Sequence, residues 1–152
     1  MALSAKLKID GGRSEGYNVL ECEYEFSQLD EPMTMKPISD VKGGKINFTM
    51  LSLDKKDEDF FYSWMFDKSE VKDGEFTFPI WIREGKDNVI VASEKKMKFE
   101  KAFCLFLNEK YSNLYMDDGE TPSGMVMRIT LSATTIKFSD KTFTNSEIDK
   151  KR

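Results

Sequence analysis

The sequence predicts a mainly β protein: an antiparallel β-barrel of about seven strands with one short flanking α-helix. Three observations carry that expectation. Apolar residues recur with a period of two along most of the 152-residue chain, as half-buried strands require. The apolar runs are separated by Gly, Pro, Asn and Asp clusters at hairpin spacing, and a single segment departs to a helical period. A chain of 152 residues buries about 70% of its unfolded surface, enough for a core without disulfide or metal staples.

Leu3, Ala5, Leu7 and Ile9 share one face of the first strand, and Ser4, Lys6 and Lys8 share the other. Asp10 to Gly16 is a glycine-rich turn, after which Leu20, Cys22, Tyr24 and Phe26 alternate with Glu21, Glu23 and Glu25 to complete a hairpin. From Ser27 to Lys42 the alternation stops, and Pro32 and Pro37 interrupt it. A connection this long is expected to be functional or mobile. Gly43-Gly44 restarts the pattern with Ile46, Phe48 and Met50, in a third strand ending near Leu53. Asp54 then caps a short helix whose first turn is acidic (Asp57, Glu58, Asp59) and whose Phe60, Phe61 and Trp64 form an apolar face.

Asp73-Gly74 reads as the next turn, followed by Phe76, Phe78, Ile80 and Ile82 alternating with Glu75, Thr77, Trp81 and Arg83. Pro79 cannot donate to a ladder, so it places this strand at an edge or bulge. Glu84 to Asn88 turns, and Val89-Ile90-Val91 extends the hairpin. Met97, Phe99, Phe103, Leu105 and Leu107 form one face of a long strand whose other face, Ala102, Cys104 and Phe106, is apolar as well. A strand of that kind is expected to be covered on both sides. A polar, insertion-like stretch from Asn108 to Gly124 precedes the last long strand, Met125 to Phe138; Phe143 closes the ordered part and residues 145–152 read as a frayed tail. With no internal repeat or change of composition, residues 1–152 are expected to form one domain.

The chain contains no histidine, which excludes Ser-His-Asp and Cys-His catalysis and removes the imidazole ligands of most zinc, copper and iron sites. A net charge of −4 with both signs dispersed offers no footprint for nucleic acid, and no stretch of 18 apolar residues suggests membrane insertion. Cys22 and Cys104 sit in apolar runs and read as core thiols. Gly11 to Gly16 and Gly119 to Gly124 share the G-x-x-x-x-G spacing, but each leads into a strand and lacks the Lys-Ser/Thr of a phosphate loop. The acids at Asp54 to Asp59 lack a calcium loop's alternation and central glycine and read as a helix cap, and Asn47-Phe48-Thr49 is a chance sequon within a strand. No catalytic, metal or cofactor site is expected. Met33 and Met35, by contrast, lie in the Pro-bearing stretch without a strand core to fill, a placement suited to adaptable protein contacts.

Val19-Leu20-Glu21-Cys22-Glu23-Tyr24-Glu25-Phe26, a long loop, and Val41-Lys42-Gly43-Gly44-Lys45-Ile46 together resemble the opening of the Hcp (TssD) tube proteins of type VI secretion systems. Trp64-Met65, then Lys95-Lys96-Met97-Lys98-Phe99-Glu100-Lys101-Ala102-Phe103-Cys104, then Leu131-Ser132-Ala133 continue the likeness in order, in the form of the Bacteroidetes-type branch. The resemblance implies an Hcp-like barrel without enzyme activity or cofactor. It implies a homohexameric ring that stacks into the inner tube of a contractile apparatus, with sheath and VgrG-type spike proteins as partners and effectors in the lumen. It also implies a protein that is cytoplasmic when assembled and is secreted without a signal peptide. By position, the loop from Ser27 to Lys42 would reach the next subunit or ring, with Leu29, Asp30, Met33, Met35 and Pro37 as contact residues. The branch's Asp-x-x-Gly-x-Pro arrangement is replaced by Asp30-Glu31-Pro32-Met33-Thr34-Met35-Lys36-Pro37, so the loop is expected to turn differently. A small barrel binding an apolar ligand and a phage-like tail-tube protein are the alternatives.

Overall fold

The computed structural model describes residues 5–52, 58–85, 88–111 and 125–145. In β1 (Ala5–Ile9), Leu7 and Ile9 turn inward while Lys6 and Lys8 face water, as the alternation predicts. β2 (Tyr17–Tyr24), β3 (Lys45–Leu51), α1 (Glu58–Phe66), β4 (Lys72–Glu84), β5 (Asn88–Tyr111), β6 (Met125–Phe138) and β7 (Lys141–Thr144) follow. The sheet order is β3-β2-β1-β4-β5-β6-β7, all antiparallel, and β3 also pairs with β6 from Lys45↔Ser132 to Leu51↔Val126. That second pairing closes six strands into a barrel, and β7 extends it along the far end of β6. The expected mainly β fold with one short helix is therefore observed.

Side chains fill the barrel. Leu7, Ile46, Phe76, Met97 and Leu131 are completely buried, and Phe48 and Phe76 meet edge to face with centroids 5.4 Å apart. A nine-residue helix is too short to persist alone. α1 is held by packing: Phe61 and Trp64 are fully buried, Phe61 meets the Tyr17 ring at 5.2 Å, and the Trp64 indole N–H donates to the Ala102 carbonyl at 3.2 Å. The Lys72 ammonium lies 4.6 Å from the centre of the Phe60 ring. The capping role expected of Asp54 lies outside the described residues, as do Leu3 and Leu53.

Bulges account for the places where alternation misleads. Between Val19 and Glu21 the register shifts, so Leu20 leaves the predicted inner face and stands 52% exposed. In β5, Met97 and Phe99 point inward, but Lys101 adopts φ 49° and the inward positions become Ala102 and Cys104. A further shift between Cys104 and Phe106 returns Leu107 toward the core and leaves Leu105 and Phe106 about half exposed on the outside. The single inner face predicted for Met97, Phe99, Phe103, Leu105 and Leu107 is thus corrected, because each bulge moves the following side chains to the opposite face.

Asp73-Gly74 is not a turn. Both residues lie inside β4, where Gly74 pairs with Ile9 on one side and Phe99 on the other. The Phe99 ring crosses the glycine: a Cβ there would stand 2.5 Å from the ring and 2.7 Å from the Lys8 carbonyl. The Asp73 carboxylate accepts the Lys101 backbone N–H at 2.8 Å, which supports the left-handed backbone opposite. Pro79 stands where β4 has lost β1, whose pairing ends at Thr77, and a register shift follows between Ile80 and Trp81. Both halves of the edge-or-bulge expectation are met. The hairpin does extend through residues 88–91, and the polar stretch expected from Asn108 begins as strand, with β5 paired to β6 as far as Tyr111↔Met125. Residues 112–124, and the tail beyond Asn145, lie outside the described residues. Phe143 lies in β7 and its ring packs against Phe26 with centroids 5.0 Å apart.

Cys104 is a core thiol as expected, while Cys22 is half-buried against the core; burial raises the Cys22 thiol from its ordinary 9.0 to about 12 and the Cys104 thiol to about 11. An unfolded chain therefore releases both protons at lower pH than the fold does. Stability is intact below about pH 9 and is lost as pH rises from there through the folded values. Urea unfolding at pH 8 and pH 10 should show this fall in wild type, and a smaller one in a Cys22→Ala, Cys104→Ala variant; an equal fall in both would locate the effect elsewhere. Gly74→Ala should destabilise the barrel by about 1–3 kcal/mol, because neither the buried Phe99 ring nor a backbone carbonyl can retreat. An unchanged thermal midpoint would refute that packing argument.

Candidate functional site, an apolar arm

The segment from Ser27 to Lys42 is an arm of paired backbone and not an irregular loop. Ser27 and Lys42 exchange both backbone hydrogen bonds, at 2.9 and 2.7 Å, directly beyond the β2–β3 ladder. Further out, the Ile38 N–H donates to the Leu29 carbonyl at 2.8 Å, the Leu29 N–H to the Ser39 hydroxyl at 2.8 Å, and Asp30 and Pro37 stand opposite each other. Pro37 has no N–H, which suits a ribbon in which Glu31 instead receives the Met35 N–H and gives its own to the Lys36 carbonyl, each at 2.8 Å.

The tip is organised by one carboxylate. Glu31 accepts the N–H groups of Thr34 at 2.6 Å and Met33 at 3.0 Å, so the turn over residues 32–34 has its donors satisfied locally. The backbone bond from Thr34, with its hydroxyl and the Met33 N–H after it, holds the Glu31 carboxyl below the usual carboxylate range. Met35 closes the turn at φ 62°, a left-handed conformation that glycine and asparagine adopt with less strain.

Along this scaffold the side chains face water. Leu29 is 58% exposed, Met33 88%, Met35 72% and Ile38 64%. The structure therefore gathers Leu29, Asp30, Met33, Met35 and Pro37 on one projection, with Asp30 and Pro37 in its paired stem and the methionines at its end. Ile38 belongs with them and was missed by sequence reasoning, although the signal is the same: a large apolar residue in a segment without strand alternation. Val41 is exposed near the base. On the body, Leu20, Leu105 and Phe106 add exposed apolar surface, as do Ile80, Trp81 and Ile82 on the β4–β5 hairpin beyond Pro79.

Nothing in this arrangement is set up for bond chemistry. Among the described residues no three Cys, Asp or Glu side chains converge on a point that would hold a metal ion. The first G-x-x-x-x-G segment is the turn between β1 and β2, and the second lies outside the described residues. An open cleft of about 620 Å³ on the barrel wall is lined by Glu21, Glu23, Thr49 and Arg128, with the Thr130 hydroxyl donating to the Asn47 side chain at 2.6 Å inside it. Among the described residues no helix is long and apolar enough to cross a membrane.

The sequence matches the family of hemolysin coregulated protein Hcp (TssD) over residues 1–146. No curated protein matches. Among solved structures, Hcp1 from Flavobacterium johnsoniae is 21% identical and superposes with a TM-score of 0.68, covering 93% of this chain and 99% of that one. Hcp1 from Salmonella typhimurium is 16% identical, covering 95% and 92% at a TM-score of 0.55. A type VI secretion system effector from Yersinia pestis is also 16% identical, covering 87% and 84% at 0.56. These likenesses carry the fold, the Flavobacterium match agrees with the Bacteroidetes-type motifs, and the family match spans nearly the whole chain. This chain belongs to the Hcp (TssD) family, the structural and non-enzymatic tube proteins of type VI secretion systems.

Proposed function

We propose that this chain is a ring subunit whose homohexamers stack into the inner tube of a type VI apparatus, with the arm of residues 27–42 seated on the next subunit or ring. The observation that supports this reading is the combination of an ordered arm backbone with large apolar side chains that stand mostly in water. Leu29, Met33, Met35 and Ile38 are held out on a ribbon with satisfied hydrogen bonds, ready to gain about 1–2 kcal/mol each on full burial against a partner. Asp30 and Pro37 set the width of the stem and Glu31 sets the tip, so little ordering remains to be done at docking. Leu105 and Phe106 add apolar surface that a neighbouring subunit would cover.

In this role the sheath surrounds the stacked rings, a VgrG-type spike caps them and effectors travel in the lumen. The protein is cytoplasmic while assembled and leaves the cell with the tube. The filled barrel interior works against the alternative of an apolar-ligand carrier, since Leu7, Ile46, Met97 and Leu131 occupy the space a ligand would need.

Native mass spectrometry and negative-stain microscopy of the purified protein should find closed six-membered rings and stacks of them. A strict monomer at high concentration would remove this reading. Met33→Asp with Met35→Asp should shorten the stacks while changing unfolding stability by no more than about 0.5 kcal/mol, because both side chains are solvated in the single chain. Stacks of unchanged length would show that the arm tip is not a contact.

A further inference from the structure

We propose that Met33 and Met35 form an oxidation site that controls the arm, which docks as a pair of thioethers and is released as a pair of sulfoxides. This inference rests on the tube-subunit reading above. The chain has nine methionines. Of those described, Met50, Met97 and Met127 are buried in the barrel and Met65 and Met125 are half-buried, whereas Met33 and Met35 are well exposed. The two cysteines offer no competing target, since Cys104 is buried, Cys22 is half-buried, and burial keeps both thiols protonated up to about 11 and about 12. A thioether has no proton to lose, so its reaction with an oxidant depends on access and not on pH. Among the described residues, an oxidant reaching an undocked chain therefore meets reactive sulfur first at the arm tip.

The geometry separates this chemistry from the fold. The bonds that shape the tip run among the Glu31 carboxylate, the Thr34 hydroxyl and backbone groups, and none uses a sulfur atom. Added oxygen would change what the arm presents without undoing its ribbon. Met35 holds its long side chain at a left-handed position where glycine or asparagine is less strained, which points to a use for that side chain.

With hydrogen peroxide as oxidant, a sulfur lone pair attacks one peroxide oxygen; the S–O bond forms as the O–O bond breaks. The proton of the transferred hydroxyl passes to the departing hydroxide, so each sulfur is oxidised by two electrons to a sulfoxide and the peroxide is reduced to water. The sulfoxide oxygen is a strong acceptor, and burying it in an apolar contact without a donor should weaken docking about tenfold per residue. Methionine sulfoxide reductases reverse the change with thiol electrons.

The test dilutes purified full-length protein until its stacks dissociate, treats it with graded hydrogen peroxide, locates sulfoxides by peptide mass spectrometry and, after reconcentration, measures stack length by negative-stain microscopy. Near-UV circular dichroism monitors the fold. Expected are a gain of about 16 Da each at Met33 and Met35 before Met50, Met65, Met97, Met125 or Met127, stacks shortened about tenfold or more with the fold intact, and recovery after treatment with both reductases. A Met33→Leu, Met35→Leu variant should keep its stacks at the same dose. Stacks that survive oxidation of both residues overturn the inference, as does prior oxidation of Met50, Met65, Met97, Met125 or Met127, or equal peroxide sensitivity in the leucine variant. If the leucine variant does not stack, recovery of the wild type by the reductases decides, and lack of recovery overturns the inference. Untreated wild type that forms neither rings nor stacks removes the tube-subunit reading and this inference with it, whereas peroxide-resistant stacks remove this inference alone.

Discussion

β3 has two neighbours, and the second of them, β6, turns a meandering sheet into a closed one. Seven residue pairs, from Lys45↔Ser132 to Leu51↔Val126, make that seam. Closure pairs β3 on both sides and encloses the Phe48, Phe76 and Leu131 side chains. The seam continues past the strand where the Ala133 N–H donates to the Gly44 carbonyl at 2.7 Å. Gly44 adopts φ 97° there, and a Cβ would stand 2.9 Å from the Ala133 carbonyl, so the glycine is required both by its dihedral and by the closeness of the two strands.

The arm grows from the other side of β3. Its base, the Ser27–Lys42 pair, extends the β2–β3 ladder, so the hydrogen bonding of the barrel passes directly into the projection. A stiff base and a carboxylate-organised tip let a segment with little side-chain burial hold its shape. The exposed Leu29, Met33, Met35 and Ile38 are consequences of that construction, since the ribbon has no second layer for them to pack on.

Much of this was legible in the sequence where one local rule acted alone. The period of two located β1, β3 and β6, Pro79 marked the end of β4's pairing with β1, and the aromatic face of residues 60–64 located the helix. Bulges were not legible, because whether Leu20 or Cys22 faces inward is decided by the strand opposite and not by the run that contains them. Asp73-Gly74 carries the composition of a turn, yet its glycine answers to Phe99, twenty-five residues away in sequence and adjacent in the sheet. In the arm, the prolines and the lost alternation announced an exceptional segment and its methionines. The ribbon itself stayed hidden because backbone groups and one Glu31 carboxylate build it, and neither has a periodic signature.

The seam also orders events in time. Its two sides lie more than seventy residues apart, so the entropy of closing that loop must be met before any of its hydrogen bonds forms. As the chain emerges from a ribosome, β1, β2 and β3 can assemble with the arm at their end, but β3 keeps a bare edge until β6 appears near the C-terminus. A chain that has not yet released β6 thus lacks the wall that encloses its core. The topology makes the emergence of β6 a precondition for a closed barrel, so the core stays open to water until the last long strand has been made.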